Sequence, residues 1–247
     1  TDGTGDYIIK TYPTIRYFKQ KENQGPGPAR NLGIKKAKYS WAIILDDDDW
    51  LLPGALNIIA NTITTYLEIT SQYPVIQFGC TNGSLKTEYV LIKPQHYFNG
   101  EIIGDLTPAI HIESFTKYNY LYPQIKIGGE NLLWLDIANN HGIPTWATKV
   151  VQVGEDAPNR LTSYSGQLNR AREYALLQDM ILEKYYILLK DISPAELRNR
   201  QLGSATYWLL AGDRGTARQR IKEASQYDKM VTLKLLWILS YIPITWV

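Results

Sequence analysis

The stretch AIILDDDDWLLPGAL, residues 42–56, decides how this chain is read. Four consecutive aspartates, residues 46–49, follow directly on one apolar run and precede another. A strand rich in Ile and Leu that stops at Asp46 delivers the next carboxylates to the carboxyl edge of a sheet, where open α/β folds bind ligands. Asp46 and Asp48 project to the same side while the backbone stays extended. Carboxylates gathered this closely repel one another, so a positive partner is expected among them. Oxygen ligands on a short turn suit Mg2+ or Mn2+, which bind through one or two carboxylates plus phosphate oxygens. The other reading is a solvated acidic turn in which Asp49 supplies a helix N-cap. Four aspartates exceed what capping requires, which favours the metal.

The rest of the composition sets limits on that reading. A chain of 247 residues can bury a substantial core, as one large domain or as one domain with an appendage. With 26 Lys and Arg against 24 Asp and Glu the net charge is +2, so bulk electrostatics give no reason to expect a nucleic-acid partner. A single cysteine, Cys80, forms no internal disulfide, which fits a reducing, cytoplasmic setting. The opening residues, TDGTGDYIIK, lack the basic start and apolar stretch of a signal peptide.

Two regimes separate near Gly166. Before it, short β-rich runs alternate with helical stretches, the pattern of an α/β domain. DYIIKTY, TIRYFKQ, WAIIL, VIQFGC, TEYVLIK, PAIHIES and PTWATKVVQV read as strands. PARNLGIKKAK reads as a helix with Pro28 in its first turn, and Pro53 opens another with Leu56, Ile59, Ala60 and Ile63 on one face. NLLWLDIANNHG reads as a helix closed by Gly142. After Gly166 the pattern is almost wholly helical: one long amphipathic stretch over residues 167–189, then capping boxes at SPAE (193–196) and TARQ (216–219). The expected division is therefore 1–166 and 167–247. The final run, LLWILSYIPITWV, carries 13 residues without a charge, well short of the roughly 20 that a spanning helix needs. It reads as a buried helix or as an interfacial membrane contact assisted by Lys229 and Lys234.

A second constellation gives the aspartates a context. NQGPGPARNLGI, residues 23–34, is a Gly/Pro-rich turn leading into a helix that carries Arg30 and Asn31 early, and ILDDDDWLLPGAL follows it. Together these segments resemble the nucleotide-sugar core of family 2 glycosyltransferases with the GT-A fold. GGENLLWLDIA, residues 128–138, resembles the acceptor-side helix of that family, which usually begins Glu-Asp. TDGTGDYI resembles the tail of the turn that closes the family's second strand. The first strands and the base-binding aspartate are accordingly expected to be missing, leaving exposed sheet edges and a half-built nucleotide pocket.

The resemblance implies an inverting transfer of a sugar from a nucleotide-sugar donor to a glycan or lipid-linked acceptor. Asp46 and Asp48 would hold the divalent cation, Mg2+ or Mn2+, that bridges the donor diphosphate, with Asp47 and Asp49 in support. Breaking the sugar–phosphate bond releases a nucleoside diphosphate whose charge a metal neutralises. Arg30 is the candidate for the nucleotide side, through phosphate or by ordering an aspartate, and a plain surface pair is as good a reading. Arg160, in the loop PNRLTSYSG, would close over the diphosphate. Inverting transfer also needs a base for the acceptor hydroxyl. The family often places it on the second acidic residue, here Asn131, which cannot accept a proton, so Glu130 is the candidate and Asp136 the reserve. Asn131 keeps a second class open: a non-catalytic relative that binds a sugar nucleotide or a protein. Polysaccharide or glycolipid assembly at the inner face of the plasma membrane is the setting this reading implies. His96, His111 and His141 are scattered without zinc spacing and read as structural. Trp50 and Trp134 flank the site and read as core residues or as stacking platforms.

Overall fold

The computed structural model describes residues 3–154, 164–227, 236–238 and 240–241. Its centre is a six-stranded mixed sheet: β1 (Trp41–Ile43), β2 (Trp50–Leu51), β3 (Val75–Cys80), β4 (Tyr89–Ile92), β5 (Leu106–His111) and β6 (Ile143–Gln152). The order is β1-β5-β3-β6-β2, with β4 also pairing β6. Only the β3–β6 pair is parallel; the others are antiparallel. Strand order and direction are not legible in the sequence, because register between strands far apart in sequence leaves no trace in local periodicity.

Every residue of β3 is buried, as expected of an apolar run covered on both faces. Alternate residues feed two cores. Val75 and Ile110 pack with α2 (Pro26–Lys36), α6 (Ile112–Lys117) and α7 (Glu130–Asn140) through Ile34, Phe115, Leu133, Trp134 and Ile137. Ile76, Phe78, Cys80 and Ala109 pack on the opposite face with Ala55 and Ile59 of α3 (Ala55–Thr65). On α3 the inward residues are Ala55, Ile58, Ile59 and Ile63, while Leu56 and Ala60 face out. The helix begins at Ala55 after Gly54, two residues later than Pro53 suggests. The short helices α4 (Leu67–Thr70) and α5 (Pro94–Phe98) lie between strands.

The amino-terminal expectation fails. Residues 4–11 form a helix, α1 (Thr4–Thr11), and residues 14–20 join no strand. The aromatic and β-branched content that suggests strands is overridden by helix-end chemistry. Gly3 is left-handed at the N-cap, and Asp6 in the first turn and Lys10 in the last are both favourable to the helix dipole. Residues 16–18 rest on the end of α2 instead: Arg16 Nη1 donates to the Lys36 carbonyl at 2.7 Å and stacks over Phe18.

The second half is helical, with α8 (Tyr164–Asn169), α9 (Ala171–Ile192), α10 (Pro194–Leu210) and α11 (Arg214–Ala224). The long stretch from residue 167 is broken at Arg170, where α9 begins. Leu132 and Leu135, on the side of α7 turned away from the sheet, pack with Ile181, Leu182, Tyr185 and Leu189 of α9. Ser193 caps α10 by accepting from the Glu196 N–H. The cap of α11 is Asp213, which accepts from the N–H and hydroxyl of Thr216. Thr216 is therefore a third-position donor, since Asp213 offers a carboxylate three residues earlier. Among the described residues no helix is long and apolar enough to cross a membrane. Most of residues 235–247, with Lys229 and Lys234, lie outside the described residues.

Candidate functional site

The acidic turn begins where β1 ends. The Asp49 N–H bonds to the Asp46 carbonyl at 3.2 Å and closes the turn, after which β2 pairs antiparallel with the end of β6. A second tie holds it from the far side: Asp49 Oδ1 accepts the Gly154 N–H at 2.9 Å. Gly154 approaches so closely that a Cβ there would overlap the Asp48 carbonyl oxygen. Asp49 is thus a strut for the turn rather than a helix cap. Burial raises its pKa above the ordinary value, the Gly154 N–H lowers it, and the charges of Asp48, Asp46 and Asp105 push it up further. Asp46 and Asp47 are exposed and Asp48 is half-buried.

Arg30 comes from the first turns of α2. Its Nη2 lies 2.6 Å from Asp46 Oδ1 and 3.0 Å from Oδ2, and its Nη1 lies 3.6 Å from Glu130 Oε2. One guanidinium therefore brings together the acidic turn and the candidate base. Burial pulls the Arg30 pKa down, but the bond and charge of Asp46, and then the charge of Glu130, outweigh it and hold the group above its ordinary value. The guanidinium stands over the Tyr122 ring, 5.4 Å from its centroid. Tyr122 is 2 % exposed and burial raises its phenol pKa. Asn31 fixes it: Asn31 Nδ2 donates to the Tyr122 carbonyl and the Tyr122 N–H donates to Asn31 Oδ1, each at 2.9 Å.

The Gly/Pro-rich turn before Arg30 follows from that contact. Glycine at 27 lets the start of α2 lie directly on residues 122–123, where a Cβ would overlap the Pro123 carbonyl oxygen. At Gly25 a Cβ would stand 2.7 Å from Lys126 Cα. The segment so gripped leads into Gly128 and Gly129, both at positive φ, and then into Glu130 as the first residue of α7. The space that a Gly128 Cβ would need is taken by Glu130 itself, 2.7 Å away at Oε2. The Glu130 side chain is 41 % exposed and turned to Arg30, while Leu133, Trp134 and Ile137 of the same helix enter the core.

Asp136, the reserve base, accepts from Lys184 Nζ at 2.6 Å and from the Tyr185 hydroxyl, so it ties α7 to α9. Asn131 is exposed on the first turn of α7. Trp134 is 8 % exposed and meets Tyr122 edge-on, whereas Trp50 is 55 % exposed beside the turn. His96 Nδ1 accepts the Lys93 N–H, His111 bonds Ser114, and His141 lies between Tyr118 and Tyr120. Arg160 lies outside the described residues. Sequence reasoning missed Tyr122 and Asp105. The latter is held by Asn82 at 2.7 Å and contributes to the field on Asp49.

Among the described residues no three His, Cys, Asp or Glu side chains are grouped to hold a metal. Asp46 and Asp48, two carboxylates on one turn, would suit a hard divalent cation only with phosphate oxygens completing the shell.

Residues 1–118 match the model of Glycosyl transferase family 2. Glu130 lies beyond that match. An uncharacterized glycosyltransferase of Rickettsia felis is 27 % identical over 146 residues, covering 55 % of this chain and 23 % of the relative. The succinoglycan biosynthesis protein ExoO of Rhizobium meliloti is 43 % identical over 44 residues, 18 % of this chain and 13 % of ExoO. The chain thus spans about a quarter or less of the length of these curated relatives. In fold it is similar to S. aureus TarS 1–349 solved with UDP-GlcNAc, with a TM-score of 0.58 at 12 % identity, covering 97 % of this chain and 76 % of TarS 1–349. The architecture is α/β, with a GT-A-like mixed sheet followed by helices, and its first 118 residues are similar to glycosyl transferase family 2.

Proposed function

We propose that this chain carries the donor-binding and transfer site of an inverting glycosyltransferase that moves a hexosyl-type sugar from a nucleotide-sugar to a glycan or lipid-linked acceptor. The observation that carries the reading is the bridging of Asp46 and Glu130 by Arg30, 2.6 Å from one and 3.6 Å from the other. That distance pair sets an anionic donor turn beside a carboxylate free enough of the core to meet an acceptor.

In this reading Asp46 and Asp48 hold Mg2+ or Mn2+ together with the donor diphosphate, and Asp47 and Arg160 support the donor. The cation supplies neutralisation of the leaving diphosphate when it is bound. Glu130 takes the proton of the acceptor hydroxyl as its oxygen bonds to the anomeric carbon. The bond from that carbon to the diphosphate breaks, and the nucleoside diphosphate leaves from the opposite face. Residues 1–166 form the transfer unit and 167–247 a helical partner unit. A cytoplasmic, peripheral place at the inner face of the plasma membrane, in polysaccharide assembly, completes the proposal. UDP-GlcNAc is the first donor to test, since the fold neighbour TarS was solved with it.

The test is transfer by Glu130→Gln and Asn131→Ala with a donor and acceptor pair that the parent turns over. Loss of a general base costs about a hundredfold to ten-thousandfold in rate, and donor binding should be preserved. Near-parent turnover by Glu130→Gln would place the base elsewhere, and Asp136, already committed to Lys184 and Tyr185, is then a poor replacement. If no pair ever gives turnover, the amide at Asn131 favours the second reading, a non-catalytic module that binds a sugar nucleotide or a protein.

A further inference from the structure

Arg30 lies between the two halves of the candidate site, and its contacts are unequal. Nη2 lies 2.6 and 3.0 Å from the two oxygens of Asp46, whereas Nη1 stands 3.6 Å from Glu130, outside hydrogen-bond range. The platform beneath is fixed, because Tyr122 is buried and clasped by Asn31 in both directions. The Arg30 side chain is 16 % exposed and that of Asp46 is 51 % exposed, so ions reach the aspartate and not the arginine behind it. A divalent cation arriving alone at Asp46 must break a charge-assisted pair and then sit against a guanidinium with nothing between them. A cation arriving with a diphosphate brings anionic oxygens that satisfy both the metal and the displaced arginine.

We infer that Arg30 is a latch on Asp46: without donor it occupies the carboxylate that the cation needs, and donor with cation draws it off onto the diphosphate oxygens. Arg30 is then a positioning residue that makes metal binding conditional on the donor. The inference rests on the proposed donor site and adds the order in which that site fills.

The experiment measures free Mn2+ by electron paramagnetic resonance over the whole chain, without nucleotide and with uridine diphosphate. The proteins compared are the parent, Arg30→Gln and Lys38→Gln. Lys38 is exposed, and its loss changes net charge by the same amount. Without nucleotide, Arg30→Gln should bind Mn2+ about twofold to fivefold more tightly than the parent, the range expected for releasing a partly exposed ion pair, and Lys38→Gln should match the parent. The enhancement by uridine diphosphate should shrink in Arg30→Gln. A merely structural role predicts weaker binding instead. If Arg30→Gln does not fold, Arg30→Lys, which keeps the charge but not the fork, carries the same expectation at smaller size. An Arg30→Gln affinity equal to or below the parent's, or a gain shared by Lys38→Gln, overturns the latch and leaves the donor site standing. Absence of Mn2+ binding in every protein, with nucleotide and without, overturns the latch and the metal assignment together.

Discussion

Two glycines in α2, six residues apart, should respond to alanine with opposite signs. At Gly27 an added Cβ would overlap the Pro123 carbonyl oxygen and stand 3.3 Å from its carbon and 3.4 Å from Tyr122 Cβ. Both obstacles belong to or adjoin a backbone that cannot rotate away, so α2 must lift from residues 122–123. Overpacking of this kind costs about 1–3 kcal/mol. Lifting also stretches the two 2.9 Å bonds between Asn31 and Tyr122, each worth about 0.5–1.5 kcal/mol. Partial loss of both gives a total of about 2–4 kcal/mol, or roughly 4–16 °C in melting temperature for a chain of this size. At Gly33 nothing lies within 4 Å of the added atom and the backbone is helical, so alanine should stabilise by up to about 1 kcal/mol. Urea and thermal unfolding of Gly27→Ala and Gly33→Ala measure both. Equal stability of the parent and Gly27→Ala would refute the claim that close approach, rather than loop flexibility, explains the QGPGPARN segment.

Further outcomes follow from other contacts. Asp179 of α9 accepts from Ser204 Oγ at 2.6 Å, Trp208 Nε1 at 2.8 Å and Arg220 Nε at 3.0 Å, joining α9, α10 and α11. Asp179→Ala should cost about 2–4 kcal/mol in urea unfolding, somewhat below a fully buried pair because Arg220 keeps Glu223; a loss under about 1 kcal/mol would show the junction to be dispensable. Asp49 carries a raised pKa, so its ionisation disfavours the folded state: its contribution is most favourable at low pH and declines as pH rises past the ordinary carboxyl value. Asp49→Asn keeps an acceptor for Gly154 and drops the charge, so calorimetry should show a gain in melting temperature at pH 7 that vanishes towards pH 3, and a loss at pH 7 would contradict this.

What was legible in the sequence was local. The apolar run ending in four aspartates, the helix starting at the Gly/Pro turn and the helix after Gly129 are each fixed by neighbours a few residues away. The strands expected at residues 6–12 and 14–20 do not form because Tyr, Ile and Thr fit either state, and at the first of them the decision lies with Gly3, Asp6 and Lys10. The mixed sheet was invisible because pairing between β3, β5 and β6 depends on crossovers, not on pattern. Tyr122 escaped notice for a similar reason: it lies 91 residues from Asn31, and nothing near it marks a clasp. The capping role given to Asp49 was chemically sound, but Gly154, 105 residues later, claimed the carboxylate.

In the proposed function the acidic turn receives a nucleoside diphosphate with a divalent cation. Isothermal calorimetry of uridine or guanosine diphosphate, with and without Mn2+, on the parent and Asp48→Ala tests it most directly. Mn2+ should tighten nucleotide binding to the parent, and Asp48→Ala should abolish most of this enhancement while unfolding at the parent's temperature. Enhancement that survives in Asp48→Ala, or nucleotide binding to the parent that Mn2+ leaves unchanged, would contradict it.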